Sequence, residues 1–190
     1  MNVVDKEGVI HDRCPAAGYP RQRWATAWDD GPGGQVKHIN IYHGEIIHSI
    51  QTTYQRNGTL VMSRKHGGAE DNFTMINFSE PLTCVSGHYG PFCFDNEAAI
   101  FNREDEDEYL LRVINSLKFS TARNTYGPFG TERGTPFSFQ TVTEITGFHG
   151  IRPSSVNVGH LHAIGVYVRC PATQYIDDPA TQVVVKYEKT

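Results

Sequence analysis

No apolar run in this chain approaches the ~20 residues that a membrane-spanning helix needs, so insertion into a bilayer is not expected. Basic residues are also scarce as a group. Lys and Arg number 17 against 21 Asp and Glu, the net charge is −4, and the one basic cluster is Arg64-Lys65-His66. Phosphate neutralisation needs a stripe of Lys and Arg, so nucleic acid is excluded as a partner. Cysteine is sparse and unpaired in pattern: Cys14, Cys84, Cys93 and Cys170 make no CxxC spacing. A reducing compartment would leave buried thiols, and an oxidising one would allow two bridges. The opening Met1-Asn2-Val3-Val4-Asp5-Lys6-Glu7 lacks the basic and apolar regions of a secretory leader, which sets a cytoplasmic expectation. Finally, no stretch sustains a 3.6-residue apolar period over three turns, which removes helical architectures.

What remains is a chain of short alternating segments bounded by turn residues. His38-Ile39-Asn40-Ile41-Tyr42 leads through His43-Gly44 to Ile46-Ile47-His48-Ser49-Ile50-Gln51-Thr52-Thr53-Tyr54 as a hairpin. The Asn57-Gly58 pair then signals a second tight turn into a strand over 59–63. Further strands are expected over 75–78, 83–87, 113–119, 137–139, 144–148 and 161–169. A faint triplication runs through them. Ile39-x-Ile41, turn, Ile47-x-x-Ile50 is echoed by Ile76-x-Phe78, turn, Cys84-Val85-Ser86-Gly87, and by Phe137-x-Phe139, turn, Ile145-Thr146-Gly147-Phe148. The class is all-β; the pattern alone suits a pseudo-threefold architecture or a sandwich.

Catalytic and metal chemistry find little to build on. His160 and His162 share one face at a spacing metals use, and His149 adds a third imidazole, but the ligand set is incomplete. Ser154-Ser155 supplies a nucleophile type without a G-x-S-x-G elbow. Asp29-Asp30 and Asp177-Asp178 are adjacent pairs whose side chains diverge on a strand, so neither flanks a single bond; Asp29 and Asp30 instead shape the turn into Gly31. Neither an enzyme nor a cofactor is expected. The acidic run Arg103-Glu104-Asp105-Glu106-Asp107-Glu108, within an insertion over about 94–110, reads as a solvated loop. Tyr126 and Phe129 read as residues that fix a Gly-Pro turn.

Several motifs carry a specific resemblance. Tyr126-Gly127-Pro128-Phe129-Gly130-Thr131, Gly134-Thr135-Pro136-Phe137-Ser138, Gly147-Phe148-His149-Gly150 and His162-Ala163-Ile164-Gly165-Val166-Tyr167-Val168 resemble those of the jacalin-related lectins. Trp28-Asp29-Asp30-Gly31, Ser49-Ile50-Gln51-x-x-Tyr54 and Lys65-His66-Gly67-Gly68 extend the likeness toward the N-terminus. The resemblance implies a β-prism of three antiparallel Greek-key sheets over 14–170, an N-terminal extension over 1–13 and a C-terminal tail over 171–190. It also implies a lectin for mannose- or glucose-class glycans or glycoproteins, of the kind plants use in defence, and it admits a homodimer.

Members of that family hold a sugar between a glycine-rich loop and a Gly-x-x-x-Asp segment. Glycine lets backbone N–H groups approach the ring, and an ionised carboxylate accepts from two hydroxyls. The first such site would comprise Gly18 with Gly159, His160, Leu161 and His162. The second would comprise Gly44, Glu45, Ile46 and His48 with Gly67 and Gly68. In both, histidine stands where the resemblance places aspartate. The first site also lacks the expected glycine at Val158, whereas the second keeps Gly44, Gly67 and Gly68. The resemblance therefore implies weak or no sugar binding at the first site and binding at the second. The alternative is a sugar-silent domain that serves as a protein-interaction or assembly module.

Overall fold

The computed structural model describes residues 1–19, 25–68, 72–92, 111–154 and 159–171; the acidic run, Cys93, Trp24, Val158 and the tail beyond 171 lie outside them. Along the chain come β1 (Asn2–Val4), β2 (Ile10–Arg13), β3 (Ala17–Gly18) and β4 (Ala25–Asp29). Next are β5 (Gln35–His43), β6 (Ile47–Arg56), β7 (Thr59–Met62), β8 (His66–Gly67) and β9 (Asn72–Asn77). The remainder are β10 (Cys84–Phe92), β11 (Leu111–Ser120), β12 (Thr125–Gly130), β13 (Thr135–Gln140), β14 (Ile145–Pro153) and β15 (Ala163–Arg169). No helix occurs among the described residues.

These strands form three antiparallel sheets in the orders β7-β6-β5-β9, β12-β11-β10-β13 and β1-β2-β15-β14-β4, with β8 added to β6 and β3 to β15. Each sheet is centred on one long hairpin: β5–β6, β10–β11 or β14–β15. The expected all-β prism is what the chain forms. At the β6–β7 turn, Asn57 (φ 48°) and Gly58 (φ 77°) supply the two left-handed residues that a two-residue hairpin demands. Residues 1–13, set apart by sequence as an extension, contribute β1 and β2, and β2 pairs with β15 in the register Tyr167↔Arg13.

The triplication is real, but its units differ from those suggested by sequence. The segments around 76–87 and 137–148 run from β9 into β10 and from β13 into β14, so each crosses between sheets. The equivalent units are instead Ile47-His48-Ser49-Ile50, Ile114-Asn115-Ser116-Leu117 and Leu161-His162-Ala163-Ile164, at the starts of β6, β11 and β15. Their partners prove the equivalence: Ser49 faces Gly67, Ser116 faces Gly130, and Ala163 faces Gly18. Sequence pattern matched apolar alternation, which every corner of the prism shares.

One apolar face of each sheet packs inward. Ile39, Ile41, Ile47, Ile50, Val85, Ile114, Leu117, Phe119, Ile145, Phe148, Leu161 and Ile164 are wholly buried in a single cluster. Tyr126 and Phe129 lie within β12 rather than in a turn, and both pack against this core. Tyr126 sits edge-on to Phe78 (5.3 Å) and Phe129 lies against Phe119 (6.3 Å). Phe137 and Phe139 are partly buried against the same cluster. Truncation of Ile114 to alanine is expected to destabilise the fold by about 2–5 kcal/mol, because the cavity would open where three sheets meet. Urea denaturation measures it, and a loss under about 1 kcal/mol would contradict a shared core at that point.

Candidate functional site: the prism apex

The three equivalent units converge at one end of the prism, here called the apex. There the sheets are joined by backbone hydrogen bonds: Leu161 N–H donates to Ile47 O (3.1 Å) and Ile114 N–H to Leu161 O (2.8 Å). A third link runs from Thr131 N–H to Glu45 O (3.0 Å). Beside each unit stands a glycine with positive φ: Gly67 (114°) by His48, Gly18 (111°) by His162 and Gly130 (78°) by Asn115. A Cβ on any of these glycines would overlap the neighbouring carbonyl oxygen, so only glycine fits. The residue after each glycine then donates its N–H to that same carbonyl. Tyr19 N reaches His162 O at 2.9 Å, Gly68 N reaches His48 O at 3.4 Å, and Thr131 N reaches Asn115 O at 3.0 Å.

The structure thus brings together both sets of residues singled out by sequence. His48 meets Gly67 and Gly68 at one corner, with Gly44, Glu45 and Ile46 just before it in the chain; His162 meets Gly18 at the next, with Gly159, His160 and Leu161 leading into it. Their side chains are not equally offered to a ligand. Glu45 is exposed and His48 half-buried, but Ile46, His160, Leu161 and His162 are buried. Ile46 and Leu161 are core residues, which sequence spacing could not show.

The imidazoles bind backbone. His48 Nδ1 donates to Gly159 O at 2.6 Å, tying the first sheet to the third. His162 Nδ1 donates to Arg112 O at 2.8 Å, tying the third sheet to β11. Asn115, which sequence reasoning missed, completes the set by donating from Nδ2 to Arg133 O at 2.8 Å. Its signal was the Ile-x-Ser-Leu match to Ile47–Ile50. So each of the three equivalent positions carries an N–H donor turned onto a carbonyl.

Burial holds His162 below the ordinary histidine range, only partly opposed by its bond to the Arg112 carbonyl. His160 is pushed down to about 3 by burial and by the neighbouring His162 and His48, and its Nε2 has no hydrogen-bond partner among the described residues. The His160 and His162 rings meet edge-to-face with centroids 4.7 Å apart. No group of three or more His, Cys, Asp or Glu that could hold a metal ion occurs among the described residues. His149 lies apart from them, donating from Nε2 to Cys14 O (2.8 Å) and accepting from Arg13 Nη2 (3.0 Å) at Nδ1; burial lowers it too. At the first corner, Tyr19 packs edge-on to Tyr89 (5.4 Å), and the Arg112 guanidinium lies over Tyr19 (4.9 Å).

The adjacent carboxylates have separate duties. Asp29 accepts Gly31 N–H (2.7 Å), closing the expected turn, and also accepts the Tyr167 hydroxyl. Asp30 points elsewhere, to His66 and Tyr54. A groove of about 1010 Å³ lies at the other ends of β6 and β15, lined by Asp5, Lys6, Glu7, Arg56, Glu144 and Arg169 among others. It contains none of the apex residues, and its mixed charges, among which Arg169 and Glu144 pair at 2.9 Å, single out no ligand. The repeated glycine geometry makes the apex the candidate functional site.

A three-sheet prism whose corners carry glycine loops against strand starts defines a lectin-type β-prism domain. The Jacalin-like lectin domain model matches residues 22–167, and the chain belongs to that family. It is 38% identical over 177 residues to Jacalin-related lectin 3 of Arabidopsis thaliana, covering 87% of this chain and 26% of that protein. Jacalin-related lectin 19 of the same plant is 32% identical, with 70% of this chain and 78% of the relative covered. Among solved structures, a mannose-specific jacalin-related lectin from Morus nigra in complex with mannose superposes with a TM-score of 0.64 at 32% identity, over 85% of this chain and 95% of that one. The chain spans about a quarter (26%) of the length of the first of these relatives.

Histidines that are harder to protonate when folded make the fold acid-sensitive. Below the unfolded value near 6.5 the unfolded chain binds more protons, so stability is full above that pH and falls as pH drops toward the folded value. His160 alone is expected to cost about 2 kcal/mol at pH 5 relative to neutral pH. His162 and His149 add to it in the same direction. Urea midpoints at pH 7.5 and 5.0, for the wild type and His160→Gln, measure this; equal pH sensitivity in both would refute it.

Proposed function

We propose that this chain is a non-enzymatic carbohydrate-binding domain that takes mannose- or glucose-class glycans at the second corner, between the 44–48 segment and the Gly67-Gly68 loop. The observation that carries this reading is the close backbone approach of Gly67 and Gly68 to the His48 carbonyl, which places a glycine loop beside half-buried His48, three residues after the exposed Glu45. Glycine keeps side chains off that loop, and the exposed Glu45 supplies a carboxylate acceptor for the hydroxyls of a neutral ring. The mannose complex of the Morus nigra relative supports the sugar class.

At the first corner the same geometry is closed off. His162 is buried and its Nδ1 hydrogen is given to Arg112 O, so this position offers no outward carboxylate acceptor among the described residues. That observation also favours a second reading in part: a domain with one silent corner can serve as an assembly surface. Multivalency in a longer protein, or in a homodimer, would then supply the avidity that a single weak corner lacks.

Titration with methyl α-D-mannoside, followed by backbone amide resonances, separates the corners. Shifts are expected at residues 44–48 and at Gly67 and Gly68, with a Kd of roughly 1 mM or weaker, and none at Gly18 or 159–162. His48→Asp should tighten binding by no more than about threefold, since a charged acceptor is gained while the Gly159 carbonyl loses its donor. Unmoved resonances at saturating mannoside and across a glycan array would establish the sugar-silent reading.

A further inference from the structure

His66, the residue before the Gly67-Gly68 loop, is held on two sides by groups from outside β8. Trp28 of β4 stacks flat on its ring, with centroids 4.0 Å apart and planes 11° from parallel. Asp30 accepts its Nε2 hydrogen through Oδ1 at 2.7 Å. The Asp30 carboxylate is itself buried, 8% exposed, and its other oxygen accepts the Tyr54 hydroxyl at 2.9 Å. Burial, the Asp30 charge and that hydrogen bond raise Tyr54 well above the usual phenol range, so it remains a donor. Arg56 closes the outer side, lying over the Tyr54 ring (5.6 Å) and donating to the Asp30 carbonyl (3.2 Å).

The arrangement exceeds what packing alone would need. A buried carboxylate tolerates burial only when its oxygens are satisfied, and here one of its two partners is the residue abutting the glycine loop. Gly67 and Gly68 have no side chains to anchor themselves. Their position follows from β8's short pairing with β6 and from where His66 is pinned. Asp30 belongs to the connection after β4, in a different sheet, so the pin crosses the prism.

We propose that Asp30, acting through His66, is a positioning residue for glycan recognition. It sets the Gly67-Gly68 loop at the second corner, so that the third sheet determines the loop geometry by which the first sheet meets a sugar. This inference rests on the reading of that corner as a mannose-class site, and its test has one readout that needs no sugar.

Asp30→Ala and His66→Ala are each expected to weaken methyl α-D-mannoside binding by about tenfold and to shift or broaden the Gly67 and Gly68 amide resonances. The double variant should be no weaker than either single one within about twofold, because both remove the same pin. His66→Gln keeps a donor for Asp30 and should restore affinity to within about threefold of wild type. Asp30→Asn, which preserves shape and one acceptor, carries the test if the alanine variants do not fold, with an expected loss of about threefold and a displaced Gly68 resonance. Variants that lower only the melting temperature, with affinity and glycine resonances unchanged, would overturn the proposal. Should the wild type bind no mannoside at all, the sugar reading fails, and the glycine resonances alone still decide whether Asp30 positions the loop.

Discussion

Everything at the apex of this molecule depends on how three sheets meet there. Each sheet can bury its apolar face only by leaning on the other two, and the strand starts then carry backbone N–H groups into an apolar centre. Unpaired there, each would cost about as much as a lost buried hydrogen bond. The chain solves this by cross-sheet bonding: Leu161 gives to Ile47, Ile114 gives to Leu161, and Thr131 gives to Glu45. The side chains of Ile47, Ile114 and Leu161 are fully buried beneath this ring. Leu161, Ile114 and Thr131 cannot shift without breaking these bonds between sheets.

The glycines follow from that constraint. With the strand starts drawn inward, the adjoining segment must pass directly over a carbonyl, and only a residue without Cβ can do so at φ near 110° or 80°. The repetition at Gly18, Gly67 and Gly130 is therefore a demand of the fold first. The corners differ in what surrounds these glycines: the second has exposed Glu45 and half-buried His48, the first buried His160 and His162.

Much of the fold was legible because β-patterning and turn chemistry are local. The hairpin across His43-Gly44, the Asn57-Gly58 turn and the run into β15 all declare themselves within a few residues. The short strands β3, β4 and β8 did not, since two to five residues pinned by partners far along the chain carry no period of their own. The same limit hid Asn115 and Asp30. Asn115 matters because it is third in a set whose members lie 67 and 47 residues apart in the chain (115 − 48 and 162 − 115). Asp30 looked like half of a turn-forming pair, and only the folded chain shows that Asp29 takes that duty while Asp30 reaches His66. The family resemblance named the candidate sugar residues, but which of them face outward depends on burial that no motif encodes.

The histidines at 48 and 162 are best understood from the carbonyls they face. Gly159 O and Arg112 O each sit within hydrogen-bonding distance of an imidazole Nδ1, and a carbonyl in that place needs a donor. An aspartate has no hydrogen to give when ionised, so its introduction alone would set two acceptors against each other and leave the carbonyl unsatisfied. The loop conformation at 159 and 112 and the side-chain type at 48 and 162 are thus one coupled choice. Imidazole meets it through its Nδ1 hydrogen, and at His162, where burial lowers the pKa, it does so at the cost of stability in acid. A carboxylate site in this framework would require the facing carbonyls to be turned away as well, a change of backbone rather than of one residue.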